Sequence, residues 1–400
     1  MSARRTAGML GAAVVGFAGG AVLTLALQGT AVIPLDTPTA TPATARAITV
    51  PVGPDTFLVW TSGGLPAGFP QAAAAMPGVR RTVVVASDNA WLTRSFDADG
   101  ELVDDPPRPF AIPLEVAAVS PRAYAPFLPP ADRGVTVALA RGEGVLGESS
   151  AKLRGLGPGA MLRFGGVRVR IAAILPDELV GAQELMVSRE VGARIGVTHD
   201  RYALLVPQGD PNVRQLAKSV RQALAPGALV RVRAPGDTPY FRYGDAVLPP
   251  VAIKERFGEF AARPRPGQPG YLTIDPAWVR AHIVTRQIPL LGSVTCNVAL
   301  FPQIRGAIDE IIDRGLRDSI TSYSGCYAPR MINRIPTAGI SHHAWGIGLN
   351  LNVPQNYFGQ EPNQDPRLVA VFERWGFIWG GDFIQPDGMH FEYRRPPAVP

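Results

Sequence analysis

Apolar positions along the chain fall into three rhythms. The first is continuous. From Ala7 to Leu27 no charged residue interrupts an Ala/Gly-rich apolar run, close to the ~20 residues that a membrane-crossing helix requires. The second is short and alternating. Arg81–Ala86 (RTVVVA) and Tyr202–Val206 read as strands, and the apolar stretches Ala160–Phe164 and Val167–Leu175 flank Gly165-Gly166 as a hairpin. Further on, Ile347, Leu349 and Leu351 alternate with Gly348, Asn350 and Asn352, and Met389, Phe391 and Tyr393 alternate with His390 and Glu392. Each of these two strands therefore has an apolar and a polar face. The third rhythm is helical. Val213, Leu216, Ala217, Val220 and Leu224 share a face, as do Ile304, Ile308, Ile311 and Ile312 ahead of Gly315. Asp365-Pro366 supplies a cap and a first-turn proline for a helix whose apolar side is Leu368, Val369, Phe372 and Trp375, ended by Gly376.

These elements imply an α+β chain of more than one domain, since 400 residues exceed one ordinary core. The expected division is a transmembrane anchor or signal peptide over 1–28 and a Pro/Thr-rich linker over 29–50. A middle α+β domain comes next over 51–245, then a connecting arm and linker over 246–272, and a last domain over 273–400. Arg4 and Arg5 ahead of the apolar run place the rest of the chain outside the cytoplasm. A retained anchor makes the chain a single-pass protein of the cell membrane; a cleaved leader makes it secreted. The stretch Thr37–Thr44 cannot bury a core and reads as a spacer.

Charge changes little. The chain carries 39 basic and 33 acidic residues, net +6, and only Lys152, Lys218 and Lys254 of the basic ones are lysines. That reads as a solvated basic surface, and no interleaved aromatic-basic motif argues for nucleic acid. The cysteines are Cys296 and Cys326, without a CxxC. In an exported protein they are expected to form a disulfide rather than a cysteine-rich metal site.

Candidate chemistry gathers late in the chain. Ser341-His342-His343-Ala344-Trp345-Gly346-Ile347-Gly348-Leu349-Asn350 is followed by Pro386-Asp387-Gly388-Met389-His390-Phe391-Glu392. The S-x-H-x-x-G-x-(A/G)-x-(D) spacing from Ser341, then D-x-x-H from Asp387, resembles the VanY-like D-alanyl-D-alanine carboxypeptidases. The ending WGGDF…PDGMHFE is also similar to the related L-alanyl-D-glutamate endopeptidases. The resemblance spans roughly Val251 to Glu392. It implies a zinc DD-peptidase-like domain with a small, mostly antiparallel sheet, acting on peptidoglycan stem peptides. Removal of a terminal D-alanine and cleavage inside the stem both stay open. By the match, His343 and His390 are zinc ligands and position 350 is the third, completing a set that leaves one site for water. Asp387 is the general base and Arg330, in CYAPR, the oxyanion-stabilising cation. Ser341, Tyr327 and Glu392 would orient site residues or touch substrate. A Cys296–Cys326 disulfide would fix the loop nearby.

One position departs from the pattern. The family carries aspartate where this chain has Asn350, and a neutral amide oxygen is a poorer zinc ligand than a carboxylate. Three outcomes are open: weaker zinc binding through Asn350, replacement of the ligand by His342 or Glu392, or a binding module without hydrolysis. His199 and His282 have no sequence partner and read as surface and structural residues, and Trp345, Trp375 and Trp379 as core. In the middle region, Val145–Asp177 resembles the extracytoplasmic domains of MacB-type permeases. That implies an interaction role, with a membrane protein complex as the candidate partner.

Overall fold

A computed structural model describes residues 56–209, 212–224, 228–234, 243–245 and 248–397. Its largest element is an eleven-stranded sheet in the order β11-β1-β10-β2-β5-β9-β6-β8-β7-β3-β4. In chain order these are β1 (Phe57–Thr61), β2 (Val79–Leu92), β3 (Arg94–Phe96), β4 (Leu102–Asp104), β5 (Ile112–Val119), β6 (Gly144–Gly147), β7 (Met161–Phe164), β8 (Val167–Leu175), β9 (Leu185–Ser188), β10 (Asp200–Pro207) and β11 (Val230–Arg233). The long β2 serves two neighbours in succession. Val79–Ala86 pairs with β10 and Ala86–Leu92 pairs with β5. Alternation along it decides which core each side chain enters. Val83 and Val85 join one cluster with Trp60, Tyr124 and Tyr202, while Val84 faces another with Phe69 and Leu216.

The rest of the chain folds into small antiparallel sheets. They are β12 (Ala262–Pro264) with β13 (Leu272–Ile274), β14 (Ile283–Ile288) with β15 (Gly292–Asn297), and a three-stranded sheet. In that sheet β18 (His390–Tyr393) lies between β16 (Gly348–Asn350) and β17 (Phe377–Trp379). Two helices cover this region, Phe301–Asp313 and Pro366–Arg374. The first buries Ile304, Ile308 and Ile311. The second starts as its sequence demands: Asp365 accepts a hydrogen bond from the Arg367 N–H and Pro366 opens the first turn. Gly306 lets the two helices close, since a Cβ there would lie 2.1 Å from the Trp375 ring.

The expected fold class is corrected in two respects. The sheet is not that of a simple α+β domain but a mixed α/β one, with parallel pairs β5–β9 and β6–β8 among antiparallel neighbours. Short apolar runs read alike in either direction, and only the crossover connections between paired strands separate them. The transmembrane helix is not supported either. Among the described residues no helix is long and apolar enough to cross a membrane, and Ala7–Leu27 lies outside them. The linker Thr37–Thr44 lies outside them as well.

The small sheets are tied to the large one by a buried ionic cluster. The helix Pro250–Phe257 sends the Lys254 Nζ to Glu184 at 2.7 and 2.9 Å, to Glu259 at 2.8 Å and to the Pro113 carbonyl at 2.8 Å. Arg154 completes the cluster with Asp104, Glu184 and Glu259. The Lys254, Arg154 and Glu184 side chains are almost wholly buried. Burial alone would push the Glu259 carboxyl up, but Lys254 and then Arg154 outweigh it and hold it below the usual carboxylate range. Beside the cluster, Ala111 and Ala262 exchange backbone hydrogen bonds of 3.0 and 2.8 Å.

Replacing one member of such a cluster strands the others without a partner. Lys254→Met is expected to lower the free energy of unfolding by about 3–5 kcal/mol, read by chemical denaturation. A loss below about 1 kcal/mol, the range of an exposed pair, would show that the cluster is solvated in solution.

Candidate active site

The site is built on antiparallel register. β16 and β18 pair Gly348 with Glu392, Leu349 with Phe391, and Asn350 with His390. Residues directly opposite share a face, so Asn350 and His390 stand side by side. The His390 Nδ1 lies 3.2 Å from the Asn350 Oδ1. His343 comes from the single-turn helix His342–Trp345, which Ser341 caps by accepting the His343 N–H. Gly346 then takes a left-handed conformation and turns the chain into β16. The two imidazole rings end 5.0 Å apart, centre to centre.

Each ring is held by its far nitrogen. The His343 Nδ1–H donates to the Cys326 carbonyl at 2.6 Å, which leaves Nε2 as the lone-pair nitrogen. That Nε2 is buried and has no hydrogen-bond partner among the described residues. Burial first, then the nearby His390 and Arg330, pull the His343 ring down to about 3, so it is neutral at physiological pH. His390 meets the Glu392 Oε2 through Nε2 at 2.9 Å. Burial would raise the Glu392 carboxyl, but His342 and His390 overcome it and hold it well below the ordinary range. The floor between the rings is Gly348. A Cβ there would sit 2.9 Å from the His390 Cε1 and 3.4 Å from the His343 Cε1. Its φ is not in the left-handed region, so the need for glycine here is one of space alone.

The disulfide is formed. Cys296, on β15, and Cys326 are joined with their Cα atoms 5.4 Å apart, so the carbonyl that orients His343 belongs to a cross-linked residue. The next loop carries Tyr327, whose N–H bonds the Thr295 carbonyl, and whose half-buried phenol is pushed up to about 12 by burial. Arg330 lies at its end. Burial and the neighbouring Arg334 lower its pKa, while Asp387 and Tyr271 oppose them. Asp387 occupies the turn before β18, where its N–H bonds the Gly380 carbonyl and its own carbonyl accepts from the His390 N–H. Trp379 steadies that turn through a 2.8 Å bond from Nε1 to the Gly388 carbonyl. Burial raises the Asp387 carboxyl against the pull of His390 and Arg330, and its Oδ1 is buried with no hydrogen-bond partner among the described residues.

The structure thus brings together His343, Asn350 and His390, with Glu392 behind them and Asp387 and Arg330 within electrostatic reach of each other. Ser341 serves as a cap. Asn352 leaves the face assigned to it by alternation. It sits in a left-handed conformation and spends its side chain on Thr321, Ser322, Ser319 and Gln364. His199 pairs with Asp88 and His282 stacks on Trp278. Sequence spacing alone missed two features. His342, weighed above as a replacement ligand, instead places its Nδ1 2.7 Å from the Glu392 Oε2. Phe383 packs its ring 6.2 Å from that of His390, on a loop tied to the large-sheet region by the Ile384 N–H to Asp245 and by Arg231 to the Asp382 carbonyl. The His-His doublet was the only visible hint of the first; nothing in the sequence marks the second.

Whether these residues suit a metal turns on their donor atoms. The two imidazole rings stand 5.0 Å apart on either side of Gly348, with the Asn350 Oδ1 beside the His390 Nδ1. Among the described residues no group of three His, Cys, Asp or Glu side chains is placed to hold an ion, and position 350 contributes an amide. The set fits zinc as two nitrogen ligands with one weak oxygen ligand.

No curated protein matches the chain. Among solved structures, the periplasmic region of MacB from Actinobacillus actinomycetemcomitans is 12% identical. It covers 46% of this chain and 89% of that one, with a TM-score of 0.31. The extracellular domain of the noncanonic ABC-type transporter YknZ from Gram-positive bacteria is 11% identical and covers 42% and 92%, with a TM-score of 0.30. A family model described as D-alanyl-D-alanine carboxypeptidase matches residues 335–393. Arg330 and the disulfide lie ahead of that segment. The carboxy-terminal segment that holds His343, Asp387 and His390 is therefore similar, over residues 335–393, to the D-alanyl-D-alanine carboxypeptidases.

Proposed function

We propose that the carboxy-terminal region is a zinc-dependent peptidase acting on the D-alanine-containing stem peptides of peptidoglycan. The observation that carries this reading is the placement of His343, whose Nε2 is buried and has no hydrogen-bond partner among the described residues, across Gly348 from His390 with the rings 5.0 Å apart. The His343 Nε2, the His390 Nδ1 and the Asn350 side-chain oxygen would hold the ion. Zinc, when bound, supplies a Lewis acid that polarises a carbonyl oxygen and acidifies water. Asp387, with a raised pKa and a free buried oxygen, takes the proton from the attacking water and returns it to the leaving amine. Arg330 supplies positive charge for the oxygen that becomes anionic, or for the carboxylate that ends a stem peptide. The reaction belongs outside the cytoplasm, where a disulfide such as Cys296–Cys326 persists.

Asn350 favours a second reading, a module that binds wall peptides without cutting them. The two part on metal content and product release. Asp387→Asn is expected to reduce release of amino acids from muropeptides by about 10²–10⁴-fold with bound zinc unchanged. If the wild-type chain releases nothing yet retains muropeptides, the module reading holds. Asn350→Asp is expected to tighten zinc binding, measured by competition with a chromophoric chelator. An unaltered affinity would remove position 350 from the ligand set. Gly348→Ala is expected to leave the fold intact by circular dichroism and to weaken zinc uptake, since its methyl occupies the gap between the rings; full uptake would place the ion elsewhere.

A further inference from the structure

The Glu392 carboxylate is buried, with 5% of the residue exposed. A single oxygen of it, Oε2, meets two rings: the His390 Nε2 at 2.9 Å and the His342 Nδ1 at 2.7 Å. His342 reaches it from the turn whose next residue is His343. His342 also lines a cavity of about 20 Å³, room for one water, bounded by Asn89, Glu115, Glu184 and Lys254 among others. The groups form a line from His342 through Glu392 and His390 to Asn350.

The direction of the hydrogen bonds along this line has a chemical consequence. A carboxylate has no proton to give at neutral pH, so the His390 Nε2 donates to it, and the His342 Nδ1, at an ion-pair distance of 2.7 Å, would do the same as the Nδ1–H tautomer. His390 then carries its proton on Nε2 and turns a lone pair on Nδ1 toward Asn350 and the gap at Gly348. A negative charge on the far side of an imidazole raises that ring's strength as a ligand. Packing alone does not account for the pair, because burying a carboxylate costs far more than burying an apolar side chain of equal size. The chain lacks a carboxylate at position 350 and carries one a single ring further out.

We propose that Glu392, held by the His342 Nδ1–H, supplies through the His390 ring the negative charge that Asn350 leaves out of the site. Glu392 and His342 are then positioning residues for His390, and the inference rests on the zinc reading above. The test uses the full-length chain and two readouts: zinc affinity by chelator competition, and the ring-nitrogen chemical shifts of the metal-free protein. Glu392→Gln and His342→Leu are each expected to weaken zinc about 10–100-fold. The pair together should cost little more than Glu392→Gln alone. His342→Asn, whose amide nitrogen can stand where Nδ1–H stands, should restore most of the affinity. In an Asn350→Asp background, Glu392→Gln should cost less than it does in the wild-type chain.

In the metal-free protein His390 should be protonated on Nε2 and His342 on Nδ1, and His342→Leu should shift the His390 ring nitrogens. An equal penalty for Glu392→Gln with Asn or Asp at 350 overturns the inference. So does unchanged zinc affinity in His342→Leu, or a His390 proton found on Nδ1. A wild-type chain that takes up no zinc sinks the zinc reading instead, and the ring-nitrogen shifts then decide the inference by themselves.

Discussion

The site depends on the pairing of two strands of three and four residues. Because β16 and β18 run antiparallel with Asn350 opposite His390, their polar residues point to one face and Leu349 and Phe391 to the core. A slip of one residue would exchange the faces, burying Asn350 and His390 among Leu351, Phe372 and Phe377. Three-residue strands have little hydrogen bonding with which to enforce a register. Enforcement comes from the packing below. Leu349 and Phe391 are fully buried, and Phe391 lies 4.8 Å from the Phe372 ring of the neighbouring helix. The apolar face thus fixes the chemistry of the polar one.

Much of this is legible in the residue order alone. The alternation from Ile347 and from Met389 is a period-two signal with no helical competitor, and both strands form, although the first ends at Asn350. Asp365-Pro366 states a helix start in two residues. The histidine and aspartate spacing picked out side chains that the fold brings near one another, because residues on short turns and strands leave a local imprint. Contacts that cross the chain leave no such imprint. The parallel pairs of the large sheet arise from connections between distant segments. His342 meets Glu392 across fifty residues, and the Phe383 loop is held by Arg231 and Asp245 from far upstream. A long-range contact through a single hydrogen bond leaves no periodicity to read.

Dryness sets the electrostatics of His343 and Asp387, whereas the neighbouring imidazoles set that of Glu392. His343 and Glu392 are both moved far from their solution values, one to a neutral ring and the other to an ionised carboxylate. Asp387 moves the opposite way from Glu392, although both are buried carboxylates. The difference is the company each keeps. Two imidazoles touch Glu392, whereas Arg330 acts on Asp387 only through space. Two neighbouring carboxyl groups are thereby separated in basicity, Glu392 held low and Asp387 held high.

The helix Pro250–Phe257 and the strand β12 bear on where this protein can be cut. Ile253, Phe257, Phe260 and Ala262 belong to the same apolar cluster as Ile304, Phe372 and Phe391, and β12 is the hairpin partner of β13. An excised fragment beginning at residue 273 leaves all four side chains behind and opens the floor beneath Trp345. One beginning ahead of Pro250 keeps the floor but exposes Lys254 without Glu184, which stays with the large sheet. Neither boundary is free of loss, so the peptidase-like portion is by its architecture a tenant of the larger chain rather than a detachable cassette.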